Sequence, residues 1–124
     1  MTISLMLLTL LSVSLSAVAQ ITMKAGLSEP IFSDLLRANN YVYFLQAVLV
    51  NPLVIAGLGL YFFGALVWLT VLTRADVSLV YPFVSLGFLL TAGLASLILG
   101  EQIGVARLAG ILFVSVGVFF VARS

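Results

Sequence analysis

Residues 51–99 read NPLVIAGLGLYFFGALVWLTVLTRADVSLVYPFVSLGFLLTAGLASLIL, two apolar runs joined by Arg74-Ala75-Asp76. Asn51-Pro52 is a helix opening, because an Asn side chain caps free amides and a proline in the first turn sacrifices no hydrogen bond. The run it opens continues to about residue 73 and is long enough to cross a hydrocarbon core of about 30 Å, which takes about 20 helical residues at ~1.5 Å each. Three residues permit only a tight reversal, so the next run, residues 76–99, is expected to return antiparallel beside the first with Asp76 as its cap. Pro82 inside that run frees a carbonyl and predicts a kink or an opening toward a cavity.

Composition says that this hairpin lies in lipid. The chain has 124 residues, 64% hydrophobic and only 7% charged, against about 25% charged in a soluble domain. The charged residues are Lys24, Arg37, Arg74, Arg107, Arg123, Glu29, Asp34, Asp76 and Glu101. Each falls in or beside a gap between apolar runs, as a cost of roughly 2.5–3.5 kcal/mol for a charge at a membrane helix centre requires. The net charge of +1 points to no nucleic acid, and the absence of Cys and His removes thiolate nucleophiles, the usual zinc ligands and the usual neutral-pH acid/base group. No metal, no cofactor and no enzymatic activity are expected.

Working outward, residues 2–26 form another run of spanning length. It has no basic stretch before it and exceeds the roughly 7–15 apolar residues of a leader, so it is read as a span. Gly100-Glu101-Gln102-Ile103-Gly104 interrupts the pattern, and residues 105–122 supply a last span before Arg123. The expectation is one all-α domain over 1–124 with spans at about 2–26, 51–73, 76–99 and 105–122 and both termini on one side. Between the first two spans, Ser28-Glu29-Pro30 reads as the start of a short surface helix. Tyr41, Tyr43 and Phe44 are residue types that settle at a membrane interface, and residues 41–50 are too few to span. That segment either lies in the interface or lengthens the second span.

Lys24, Arg37 and Arg107 share one side of such a bundle, and Arg74 and Arg123 the other. Three against two does not orient the chain, and insertion both ways as an antiparallel dimer stays open.

Ser12, Ser16, Gln20 and Lys24 recur every fourth residue and form a polar stripe on the first helix. In lipid such groups face protein or a water-filled cavity, so the stripe reads either as interhelical hydrogen bonding or as a binding face. Lys24 lies near the membrane boundary, where its ammonium either snorkels or, beside the Gln20 amide, receives a phosphate. Tyr81 and Ser85, one α-helical turn apart, reach a substrate together from one face unless Ser85 bonds the preceding turn. Glu101 is either solvent-exposed or paired with Arg107. Gly110 and Gly117 stand two turns apart on one face and predict close packing, within the bundle or across a dimer.

These residues also carry a resemblance. AVAQITMKAGL in the first helix, the string W-L-x-V-L-x-R-x-D-V-S-x-x-Y-P-x-x-S-L from Trp68 to Leu86, Gly100-Glu101, and RLAGILFVSVGV in the last helix resemble the four-helix, EamA-like branch of the drug/metabolite transporter superfamily. The Trp68 string is similar to aminoarabinose–undecaprenyl-phosphate flippase subunits, and the glycine pair is shared with the more distant small multidrug resistance proteins. The resemblance implies a small multidrug resistance/EamA-like bundle in the bacterial inner membrane, a homodimer or a heterodimer with a paralogous four-helix subunit. Such an assembly moves an amphipathic substrate, in the flippase branch a polyprenyl-phosphate sugar. The multidrug exporters carry a glutamate in the first helix, at the place of Ser16 here, and no acid occurs from Met1 to Leu27, which favours the flippase branch.

The expected function is therefore translocation of a polyprenyl-phosphate-linked sugar or a similar anionic lipid. Substrate-binding candidates are Lys24, Gln20, Ser16, Tyr81, Ser85 and Trp68. Two other readings stay open: a proton-coupled exporter using Glu101, and an accessory subunit of a membrane glycosyltransferase that carries nothing.

Overall fold

The computed structural model describes residues 2–124. In chain order it holds α1 (Ile3–Gly26), α2 (Pro30–Arg37), α3 (Tyr41–Val50), α4 (Pro52–Leu72), α5 (Val77–Val80), a 3-10 turn (Tyr81–Ser85), α6 (Leu86–Ile98) and α7 (Val105–Arg123). α1, α4, the segment Val77–Ile98 and α7 are each long and apolar enough to cross a membrane. The protein is an all-α, four-span membrane protein.

α1 and α4 form the central pair, packed along their length, and α6 lies against α1. Close approach is possible because α4 offers glycines to α1. A methyl group at Gly64 would meet Leu15 Cβ, the Ser12 carbonyl oxygen and Ser16 Oγ, each at 3.3 Å. The space left by the missing side chain is used for bonding: the buried Ser12 hydroxyl donates to the Gly64 carbonyl oxygen at 2.7 Å. Small residues that let backbones touch, with hydroxyls bridging them, are the usual adhesive of helices in lipid, where apolar burial drives no association. Below this contact, Leu5, Val71 and Val80 make a buried apolar cluster with Leu8, Trp68, Leu72 and Ala75 packed on it.

Asn51 joins the other end of the pair. Its side-chain oxygen accepts from the amides of Leu53 (3.0 Å) and Val54 (3.2 Å), capping α4, while its amide nitrogen donates to the Gly26 carbonyl at 3.1 Å. Losing a cap costs about 1 kcal/mol and losing an interhelical hydrogen bond in a membrane protein about 0.6 kcal/mol. Asn51→Leu is expected to destabilise the chain by the sum, about 1.5–2 kcal/mol, in detergent-titration unfolding from mixed micelles. Asn51→Asp, which keeps the cap acceptor and loses the Gly26 donor, is expected to lose less than half of that.

Asn51 also breaks the chain between α3 and α4. Its ψ of 121° is extended, the conformation forced on a residue before proline, and Pro52 has no amide to continue the α3 ladder. The segment 41–50 is thus a separate helix, not a lengthening of α4. α2 carries Pro30 in its first turn and ends at Arg37; just beyond it Asn39 takes a φ of 56°, a conformation Asn tolerates better than most residues. The rings of Phe32 and Phe44, with centroids 6.1 Å apart and 87° between planes, hold α2 against α3. Asp76 occupies the cap position of α5 with no side-chain bond, and its carbonyl accepts from Leu79 (3.0 Å) and Val80 (3.1 Å).

α7 is the peripheral helix. It rests on the 3-10 turn and α6, and Val118 is its single fully buried residue.

Candidate functional site

Between α1, α4 and α6 lies a cavity of about 500 Å³. The same face of α1 that makes the tight Ser12 contact supplies Ser16 and Gln20, and α4 supplies Tyr61, Ala65 and Trp68 at the i, i+4, i+7 spacing that keeps residues on one stripe. The 3-10 turn supplies Tyr81 and Val84, and α6 supplies Gly87, Phe88 and Thr91. Trp68 and Tyr81 meet edge to face, with centroids 6.5 Å apart and planes at 67°, so the end of the cavity is an aromatic corner. None of the lining side chains is charged. The site offers two aromatic walls and a handful of neutral hydrogen-bonding groups: hydroxyls of Ser16, Tyr61, Tyr81 and Thr91 and the Gln20 amide. Such a lining suits a polar but compact group presented to hydrocarbon depth, because the neutral donors and acceptors replace part of its water without fixed charges that would themselves need solvating.

A second cleft of about 280 Å³ lies between α6 and α7. It is lined by Ala92, Ala95, Ile103 and Ile111, with Glu101 and Arg107 at its rim, and it shares Phe88 and Thr91 with the central cavity.

Over part of its length this chain resembles flippase subunits. It is 41% identical over 71 residues to the protein of Pseudomonas savastanoi pv. phaseolicola named "Probable 4-amino-4-deoxy-L-arabinose-phosphoundecaprenol flippase subunit ArnE", a match covering 57% of this chain and 60% of that protein. The proteins of the same name from Pseudomonas syringae pv. syringae and Pseudomonas aeruginosa (strain UCBPP-PA14) are 37% identical over 60 residues and 36% over 61. Those matches cover 48% and 49% of this chain and 56% and 53% of the relatives. The chain spans little more than half the length of the curated relatives it matches. No family model matches it, and no solved structure does.

The structure sorts the residues singled out in the sequence. Ser16, Gln20, Trp68 and Tyr81 come together around the cavity. Ser12, from the same polar stripe, also borders the cavity, but its hydroxyl is spent on the Gly64 carbonyl. Lys24 is not brought to the cavity: it is exposed in the last turn of α1, about 6 Å farther along the axis than Gln20. Ser85 is also outside the lining, and its hydroxyl donates to the Pro82 carbonyl. The expectation that Tyr81 and Ser85 share a face assumes α-helical spacing. In the 3-10 turn that Pro82 occupies, with three residues per turn, positions i and i+4 are rotated about 120° apart. Glu101 and Arg107 both reach the α6–α7 cleft. Gly110 and Gly117 are exposed on α7, with nothing within 4 Å of where a side chain would begin, so within this chain they pack against no other helix.

Tyr61, Ala65, Phe88 and Thr91 escape sequence reasoning. For the first two the signal was present: stepping back from Trp68 by three and then four positions along α4 reaches Ala65 and Tyr61. For Phe88 and Thr91 it was not, because α6 is apolar around its circumference and only its neighbours distinguish one face from another.

Proposed function

We propose that this chain is a flippase subunit of the bacterial inner membrane that translocates the headgroup of a polyprenyl-phosphate-linked sugar. The observation that carries the reading is the uncharged, aromatic and hydroxyl-lined cavity between the spanning helices. Aromatic faces cover the apolar side of a sugar ring, and Gln20, Ser16, Tyr61, Tyr81 and Thr91 replace hydrogen bonds that its hydroxyls leave behind in water. The partial similarity to probable flippase subunits supports the same reading. Catalysis in this scheme forms no covalent bond: the cavity lowers the barrier to carrying a polar head through hydrocarbon while the polyprenyl tail stays in lipid.

The second proposed element is a dimer, with itself or with a paralogous four-helix subunit. The exposed face of α7 with Gly110 and Gly117 is the surface it would use, since small residues there permit backbone-close packing in lipid.

The test is translocation in liposomes holding the purified chain and a short-chain prenyl-phospho-pentose in both leaflets. Membrane-impermeant periodate oxidises only sugar diols facing outward. The protected half of the lipid is expected to become fully oxidised in proteoliposomes and to stay protected in protein-free vesicles. Continued protection, with the chain alone and after coexpression with a paralogous subunit, would sink the flippase reading and leave an accessory role.

A further inference from the structure

The two cavities adjoin. Phe88 and Thr91, three positions apart on one face of α6, line both. Along the third span the lining runs from Tyr81 to Ala95, fourteen positions or about 23 Å of 3-10 turn and α-helix, roughly three quarters of a hydrocarbon core of about 30 Å. It ends at a rim that carries the one acid and the one base beside either cavity, Glu101 and Arg107. Both are held there by the backbone. Gly100, at a φ of 69°, turns the chain in a conformation that glycine adopts without strain. That turn brings the Glu101 amide back to donate to the Ala95 carbonyl at 3.1 Å, and Arg107 stands in the first turn of α7.

We propose that the α6–α7 cleft is the headgroup entrance to the central cavity, in which Arg107 receives the phosphate of a lipid-linked sugar and Phe88 separates entrance from cavity. The inference rests on the flippase reading and assigns to Arg107 the phosphate contact that the sequence alone offers to Lys24. Charge complementarity selects the occupant. A guanidinium binds a phosphate ester through paired, charge-assisted hydrogen bonds. A carboxylate beside it repels a bare phosphate dianion but accepts hydrogen bonds from the hydroxyl or amine of an attached sugar. The apolar walls below, Ala92, Ala95 and Ile111, suit the start of a prenyl chain. α7 has little packing to lose by moving, with Val118 as its only fully buried residue, so the cleft can widen without breaking the α1–α4 pair.

Trp68 is the only tryptophan of the chain and lines the central cavity, so its fluorescence reports arrival beyond Phe88. The experiment titrates the full chain in vesicles with farnesyl-phospho-arabinose and follows Trp68 at equilibrium and by stopped flow. Arg107→Gln is expected to raise the half-saturating concentration at least about tenfold, an effect of about 1.4 kcal/mol, and Arg107→Lys to restore part of it. Ala92→Phe, which fills the cleft without touching a charge, is expected to slow the approach to equilibrium at least about fivefold while leaving its end point within about twofold. Phe88→Ala is expected to speed it. Wild-type titration and kinetics in both Arg107→Gln and Ala92→Phe would overturn the entrance while leaving the flippase reading intact. An equal Trp68 response to inorganic phosphate at the same concentration would overturn the lipid-linked occupant. No Trp68 response in the wild-type chain, with no translocation in the periodate assay, would overturn both readings together.

Discussion

Gly57→Leu is expected to destabilise the central helix pair severely. A Cβ at this position would overlap Met23 Cγ and lie 3.0 Å from the Ala19 carbonyl oxygen and 3.1 Å from the Met23 amide nitrogen. A flexible methionine tip can move, but the two backbone atoms belong to the regular ladder of α1 and move only with the whole helix. Overpacking in a protein interior typically costs about 1–3 kcal/mol, and more where the obstacle is rigid. Here the substitution also pushes α4 away from α1 along a stretch where Ser12 bonds Gly64 and Asn51 bonds Gly26, so several contacts fail together. The predicted loss is about 3 kcal/mol or more, a large part of the 5–15 kcal/mol that typically holds a domain together. Gly59→Leu is the matched comparison, because nothing lies within 4 Å of a side chain there, and it is expected to unfold like the parent. Detergent-titration unfolding monitored by circular dichroism measures both. Equal stability of the two variants would show that α4 does not approach α1 at Gly57.

Ala65→Phe should act on function and spare the fold. Ala65 faces the central cavity and is exposed to it, so a ring placed there has room to stand, but it occupies space between the Gln20 side and the Trp68–Tyr81 corner where a headgroup would pass. Translocation in the periodate assay is expected to fall at least about tenfold, which corresponds to about 1.4 kcal/mol added to the barrier, with unfolding unchanged within experimental scatter. Ala56→Phe, on the same helix but outside the cavity lining, should translocate at the parental rate. A normal rate in Ala65→Phe would mean that the substrate does not use this cavity.

Much of this protein is legible in its sequence, and the reason differs from residue to residue. The spacing of charges predicts four spanning helices because ionised groups are expelled from hydrocarbon wherever the bundle places them. Asn51-Pro52 marks a helix start for reasons internal to four or five residues, and Asn51 does cap α4. Its second bond, to Gly26, involves a residue 25 positions away, and no local rule reaches it. Pro82 signals a departure from regular helix, but whether it produces a kink or a 3-10 turn depends on what packs around it. That choice decides where Ser85 points.

The polar stripe of α1 marks the boundary between the two kinds of information. Its period of four residues is a property of sequence alone, and it places Ser12, Ser16, Gln20 and Lys24 on one drifting face whatever surrounds the helix. What each then does is settled by the partner lying opposite. Gly64 brings the α4 backbone close enough to take the Ser12 hydroxyl, and α4 and α6 leave a space beside Ser16 and Gln20. Lys24 falls one turn beyond that space. The second cleft, which shares Phe88 and Thr91 with the central cavity, likewise exists only once α7 has docked on α6. The order of residues alone sets the solvent, the number of spans and the absence of charge from the membrane interior, since those follow from the free energy of transferring each side chain separately. Which polar residues meet, and around what volume, was decided by helix packing, because it depends on the relative rotation and distance of segments far apart in the chain.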